Sequence, residues 1–192
     1  MIRPILTGVL VAAASACALT GCGSDTPPAP ARPTAPSAVA SPESTAWADR
    51  VCQAVQAQAA TLGSLPMLDS PDPRQVKQAM VSYLDGLSRA FASLVDGVEK
   101  AGPPPVTDGV RLVEKTTGIL RNTKQAIDNA KPQAEGAPAD QPARFQEVMG
   151  KISADLTNLR NMDDPMKDLK AADGLKAGFA ESATCQRLDG GS

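Results

Sequence analysis

The sequence predicts an all-α protein: an antiparallel up-down four-helix bundle with a short extra C-terminal helix, preceded by a disordered tether. Three observations lead there. From about Glu43 onward, apolar residues recur at spacings of three and four. Asp-Pro or Ser-Pro pairs ahead of these runs, and Gly or Pro clusters after them, divide the pattern into four long segments. No window alternates with period two over a useful length, so no sheet is expected.

The N-terminal segment has a different character. Arg3 precedes an apolar run from Ile5 to Leu19, which is of signal-peptide length and too short to span a bilayer comfortably. The run ends in Leu19-Thr20-Gly21-Cys22. That tetrapeptide, in that place, resembles the lipobox of bacterial lipoproteins. The resemblance implies a signal peptide over 1–21 and cleavage between Gly21 and Cys22. It also implies a diacylglyceryl group on the Cys22 sulfur and a mature chain anchored to the outer face of the cytoplasmic membrane. At about 0.8 kcal/mol per buried methylene, two acyl chains hold a protein firmly where one holds it marginally. The alternative is an ordinary secretory signal cut nearby, which leaves Cys22 as a free thiol in an oxidising compartment.

Residues 22–42 read as a Pro/Ala-rich flexible tether. The run Thr26-Pro27-Pro28-Ala29-Pro30-Ala31-Arg32-Pro33 and the prolines after it contain little that can build a core. Extended polyproline II at about 3.1 Å per residue lets some 20 residues lift a domain on the order of 60 Å from the membrane.

The remaining 43–192 is the size of one domain. The first helix carries Trp47, Val51, Val55, Ala59 and Leu62 on one face, starts at Ser41-Pro42 or Ser44, and ends with Gly63 and Pro66. The second has the clearest boundaries, with Asp72-Pro73 to open it and Gly102-Pro103-Pro104-Pro105 to stop it. Between them Val76, Met80, Leu84, Leu87, Phe91, Leu94 and Val98 form a stripe along roughly 40 Å of helix. The third begins near Thr107 with a thinner stripe (Val110, Val113, Thr117, Leu120, Ile127) and is expected to fade before Lys131-Pro132. The fourth starts at Asp140-Gln141-Pro142 and carries Phe145, Val148, Ile152, Leu156, Leu159 and Met162. Asp164-Pro165 repeats the start signal ahead of Met166 and Leu169, and a last segment carries Leu175, Phe179 and Ala183 down to Cys185.

Of four cysteines, Cys17 lies in the leader and Cys22 at the lipobox, which leaves Cys52 and Cys185 near the two ends of the domain. An even pair in an exported chain reads as a disulfide. Closing so long a loop removes roughly 4–5 kcal/mol of unfolded-chain entropy in the simple model, although measured values often fall below it. Two buried thiols or a redox pair are the alternatives, but the Cys-x-x-Cys spacing of redox pairs is absent.

Most catalytic chemistry is excluded by composition. The chain has no histidine, which removes Ser-His and Cys-His nucleophile pairs and ferritin-like Glu-x-x-His metal sites. No Gly-x-Ser-x-Gly elbow, Ser-x-x-Lys motif or Walker loop is present. No enzyme, cofactor or metal is therefore expected. Asp163, Asp164, Asp168 and Asp173 lack the ligand spacing of an EF-hand, and Asp164 before Pro165 reads as a helix cap. A net charge of −2, which becomes more negative once Arg3 is removed, argues against nucleic acid. Trp47 and Tyr83 read as core aromatics, with a cleft wall as the alternative. Gly86, Gly97, Gly118, Gly150 and Gly178 fall within expected helices, each at about 1 kcal/mol relative to Ala. Close helix crossings explain them, or else a loosely packed bundle with an apolar cleft.

The tether, the segment Ala46-Trp47-Ala48-Asp49-Arg50-Val51-Cys52 and the distal Cys185 together resemble small actinobacterial cell-envelope lipoproteins, many without an assigned activity. The expected protein is a monomer anchored to the membrane through Cys22, acting as a non-catalytic interaction or scaffolding module that recognises an envelope protein. The alternative is a carrier of a lipid or other apolar ligand between its helices. Its motivation is the glycines, the thin third stripe and the methionines Met80, Met149, Met162 and Met166.

Overall fold

Every regular element among the described residues is a helix. The computed structural model describes residues 40–66, 68–160 and 164–190, so the leader, Cys22 and the tether up to residue 39 lie outside them. Helix α1 (Pro42–Gly63) opens on Ser41, whose side chain accepts from the Ser44 N–H, with Pro42 in the first turn where a missing N–H costs nothing. Helix α2 (Pro73–Ala101) repeats the device, with Asp72 accepting from the Arg74 N–H. It stops where Gly102 turns to φ 71°, a conformation that glycine adopts freely.

The long helices run antiparallel in succession. Trp47, near the start of α1, donates its indole N–H to the Gly102 carbonyl beyond the end of α2, at 2.8 Å. Helices α2 and α3 are stitched head to tail by Glu99 with Arg121, Ser88 with Asp128 and Asp85 with Lys131.

Helix α3 (Gly109–Glu135) differs from expectation at its end. It runs through Pro132, which sacrifices the hydrogen bond to the residue 128 carbonyl. Tertiary packing outweighs that loss, because Ala130, Ala134 and, just beyond, Ala137 are buried in the same cluster as Met80, Phe145 and Met149. Its stripe differs in part: Thr117, Leu120 and Ile127 are buried as expected, but Val110 is 57% exposed and Thr116 is buried beside them.

Helix α4 (Pro142–Arg160) folds back along α3. The single short C-terminal helix expected is three: α5 (Lys167–Ala171), α6 (Lys176–Glu181) and α7 (Ala183–Gly190). Gly174 at φ 84° separates α5 from α6, and extended Ser182 separates α6 from α7. These short helices bury Leu169, Leu175, Phe179 and Cys185.

Two cores result. One joins the start of α1, the end of α2 and the start of α3 to α5–α7, around Trp47, Val51, Leu94, Val98 and Leu120. The other joins the start of α2 and the end of α3 to α4, around Met80, Leu84, Ile127 and Ile152. Helix α4 packs on α3, and α6 and α7 pack on α1. No helix of the described residues is long and apolar enough to cross a membrane.

Candidate functional site

The proposed lipidation residue, Cys22, lies outside the described residues. Cys52 on α1 and Cys185 on α7 are joined by a disulfide, with their Cα atoms 5.2 Å apart. The buried face of α1 reads Ser44, Trp47, Ala48, Val51, Cys52, at the three-and-four spacing that puts residues over one another. Phe179 meets Trp47 edge to face at 6.1 Å between ring centroids. A Cβ on Gly178 would stand 2.8 Å from the Ser44 carbonyl, so only glycine lets α6 lie this close.

Asp49 completes this junction. Its Oδ1 accepts from the Ser182 hydroxyl at 2.8 Å and the Thr184 N–H at 3.4 Å, and Ser182 in turn accepts from the Cys185 N–H. Hydrogen bonds from the Thr184 side chain first, then from Ser182, hold the Asp49 carboxyl below the usual carboxylate range. Both sulfurs are buried and committed to the bond, so this corner joins elements and offers no free thiol for chemistry.

A shallow cleft of about 500 Å³ borders this corner, lined by Asp49, Glu181 and Ser182, and a more enclosed, apolar cavity lies at mid-height between the long helices. Leu62 of α1, Tyr83, Leu87 and Phe91 of α2, Thr123 and Ile127 of α3, and Leu156 and Leu159 of α4 line a pocket of about 130 Å³. It exists because α1 ends at Gly63 and the chain continues extended, while α4 follows α3. Tyr83 and Leu156 also wall a second pocket of about 260 Å³, with Leu65, Pro66, Leu68 and Met80. Leu68 and Ser153 continue into a third of about 370 Å³ that ends at Pro73, Pro142 and Phe145. Among the described residues, no ionisable side chain except the Tyr83 phenol lines any of the three.

Sequence-level expectations divide between these places. Trp47 is core, as expected; Tyr83 is half-buried and is the cleft wall that stood as its alternative. Met80 and Met149 line the trough, Met166 packs beside the first core, and Met162 lies outside the described residues. Gly97 and Gly178 sit at close crossings, whereas a Cβ on Gly118 or Gly150 would meet nothing within 4 Å. Asp164 accepts from the Met166 N–H in the turn ahead of α5 and does not cap that helix, whose N-cap is Met166, and Asp168 pairs with Lys115. Among the described residues, no group of three or more acidic or cysteine side chains is placed to hold a metal ion.

Leu68 and Thr123 were not singled out from sequence, whereas Leu62 belongs to the expected apolar face of α1. A signal for Thr123 existed: the α3 stripe skips from Leu120 to Ile127, and Thr123 stands in that gap, where the pocket opens. The chain matches no family model, no curated protein and no solved structure.

Proposed function

We propose that this is a lipid-anchored, non-catalytic protein of the cell envelope, held through Cys22 to the outer face of the cytoplasmic membrane, whose helical domain carries an apolar ligand. In this reading the tether is a stalk, and the four long helices are an up-down bundle opened along its α1–α4 seam. The observation that carries the ligand reading is the uncharged pocket lined by all four long helices and continuous with an apolar trough. Ligand sites are concave and mostly apolar, with a few polar groups that orient the occupant. Tyr83 and Thr123 supply such groups here. The absence of histidine from the sequence supports the non-catalytic part.

A second reading, an interaction or scaffolding module for an envelope protein, is favoured by Leu65, a large apolar side chain that is 66% exposed at the rim of the same trough. Native mass spectrometry of the protein extracted from its own membranes separates the two. A reproducible extra mass beyond the anchor, lost on denaturation, is the expected result for a carrier. An empty chain overturns that reading, and recurrent cross-links to one envelope protein would then establish the module.

A further inference from the structure

We infer that the trough takes a single linear acyl chain, tail first, with the terminal methyl in the pocket between Phe91 and Ile127 and the polar head at the Ser70–Gln146 end. The inference rests on the carrier reading and narrows it to a ligand class.

Volume sets the shape. A dry cavity of roughly 150 Å³ is filled by one benzene molecule, and the inner pocket is smaller, at about 130 Å³. A fused-ring or branched ligand cannot be seated there, but one narrow chain can. The three pockets stand in line, because Tyr83 and Leu156 wall the first and second while Leu68 and Ser153 wall the second and third. Along α4 the walls run from Leu159 to Phe145, about 21 Å at 1.5 Å per residue. A membrane acyl chain spans half of a hydrocarbon core roughly 30 Å thick, so about 15 Å. The trough holds one such chain with room for the group that follows it.

Polarity sets the direction. The inner pocket is walled by Leu, Phe and Ile side chains, with Tyr83 at its border with the second pocket and the Thr123 hydroxyl already donating to the Ile119 carbonyl. The outer end presents Ser70, Gln146 and Ser153. Among the described residues, no carboxylate, lysine or arginine lines the trough to pair with a charge inside it, and an unpaired buried charge is costly. An ionic head therefore stays in water at the outer end while the uncharged tail lies in the uncharged trough.

The test is titration of the full chain with octanoate, decanoate and dodecanoate below their micellar concentrations, followed by calorimetry and by NMR of the Leu, Ile and Val methyl groups. Each added methylene is expected to tighten binding about fourfold, with shifts at Leu62, Ile127 and Leu156. Thr123→Leu, which fills the inner pocket, is expected to weaken dodecanoate by tenfold or more without lowering the thermal midpoint. Leu159→Phe, narrowing the same pocket from α4, is the second variant if the first fails to fold. Affinity that does not depend on chain length, or shifts confined to other residues, overturns the inference. A sterol sulfate that shifts these same methyl groups when the fatty acids do not would also overturn it, yet leave the carrier reading standing. If neither ligand shifts them, both readings fall.

Discussion

Asp49 is the residue on which the attachment of the C-terminal helices is most exposed to solution conditions. It stands on α1 and accepts from Ser182, Thr184 and Gln53. Because these bonds lower its pKa in the fold, their contribution is fully present above the ordinary carboxylate range. It is lost as pH falls through the lowered value. Asp128 acts with the same sign, held down by Lys124 first and Ser88 next. Asp49→Asn is expected to cost about 1 kcal/mol near neutral pH and to flatten the loss of stability below about pH 4, both read from urea midpoints across pH. An acid limb identical to the parent's would count against this role. Two glycines give opposite expectations. Gly97→Ala sets a Cβ 2.4 Å from that of Ala54, and overpacking of about 1–3 kcal/mol exceeds a helix-propensity gain near 1 kcal/mol. Gly118→Ala meets nothing within 4 Å and is expected to stabilise by about 0.5–1 kcal/mol. Thermal melts of the two variants should move in opposite directions.

Among the elements, α2 was legible to the residue because its signals are local: a capping Asp before Pro73 and a glycine at positive φ after Ala101. The end of α3 was not. A proline rule applied to Lys131-Pro132 takes no account of the core that Ala130 and Ala134 enter. The C-terminal helices are too short to stand alone, and they hold through the disulfide, the Asp49 cap and the Trp47–Phe179 contact. Replacing both Cys52 and Cys185 by Ser is expected to lower stability by up to about 5 kcal/mol in the loop-entropy account. Hydrogen exchange should then rise first in α6 and α7, while the α2–α3 pair keeps its protection. A uniform loss along the whole domain would show that the bridge does not act on the C-terminal helices in particular.

At the scale of the whole molecule, the proposed function divides between an N-terminal address and a cavity. If Cys22 carries the anchor, Cys22→Ala should be released from membranes or accumulate uncleaved, as fractionation and intact mass would show; unchanged retention would overturn the anchor. The cavity follows from how the elements are shared out. Helices α6 and α7 pack on α1 at one end and α4 packs on α3 at the other, and Leu62, Tyr83 and Leu156 line the pocket between them.

The sequence by itself determined the helical class, most helix boundaries and the cysteines available for pairing, because periodicity, capping and cysteine count are properties of neighbours along the chain or of composition. It also carried a trace of the cleft, in the α3 stripe that fails at Thr123. Only the tertiary structure decided that Pro132 lies inside a helix, that Gly97 and Gly178 mark crossings while Gly118 and Gly150 do not, and that Tyr83 walls a cavity. Each of these depends on what a residue meets across space, and spacing along one helix tells which residues share a face without telling what that face packs against.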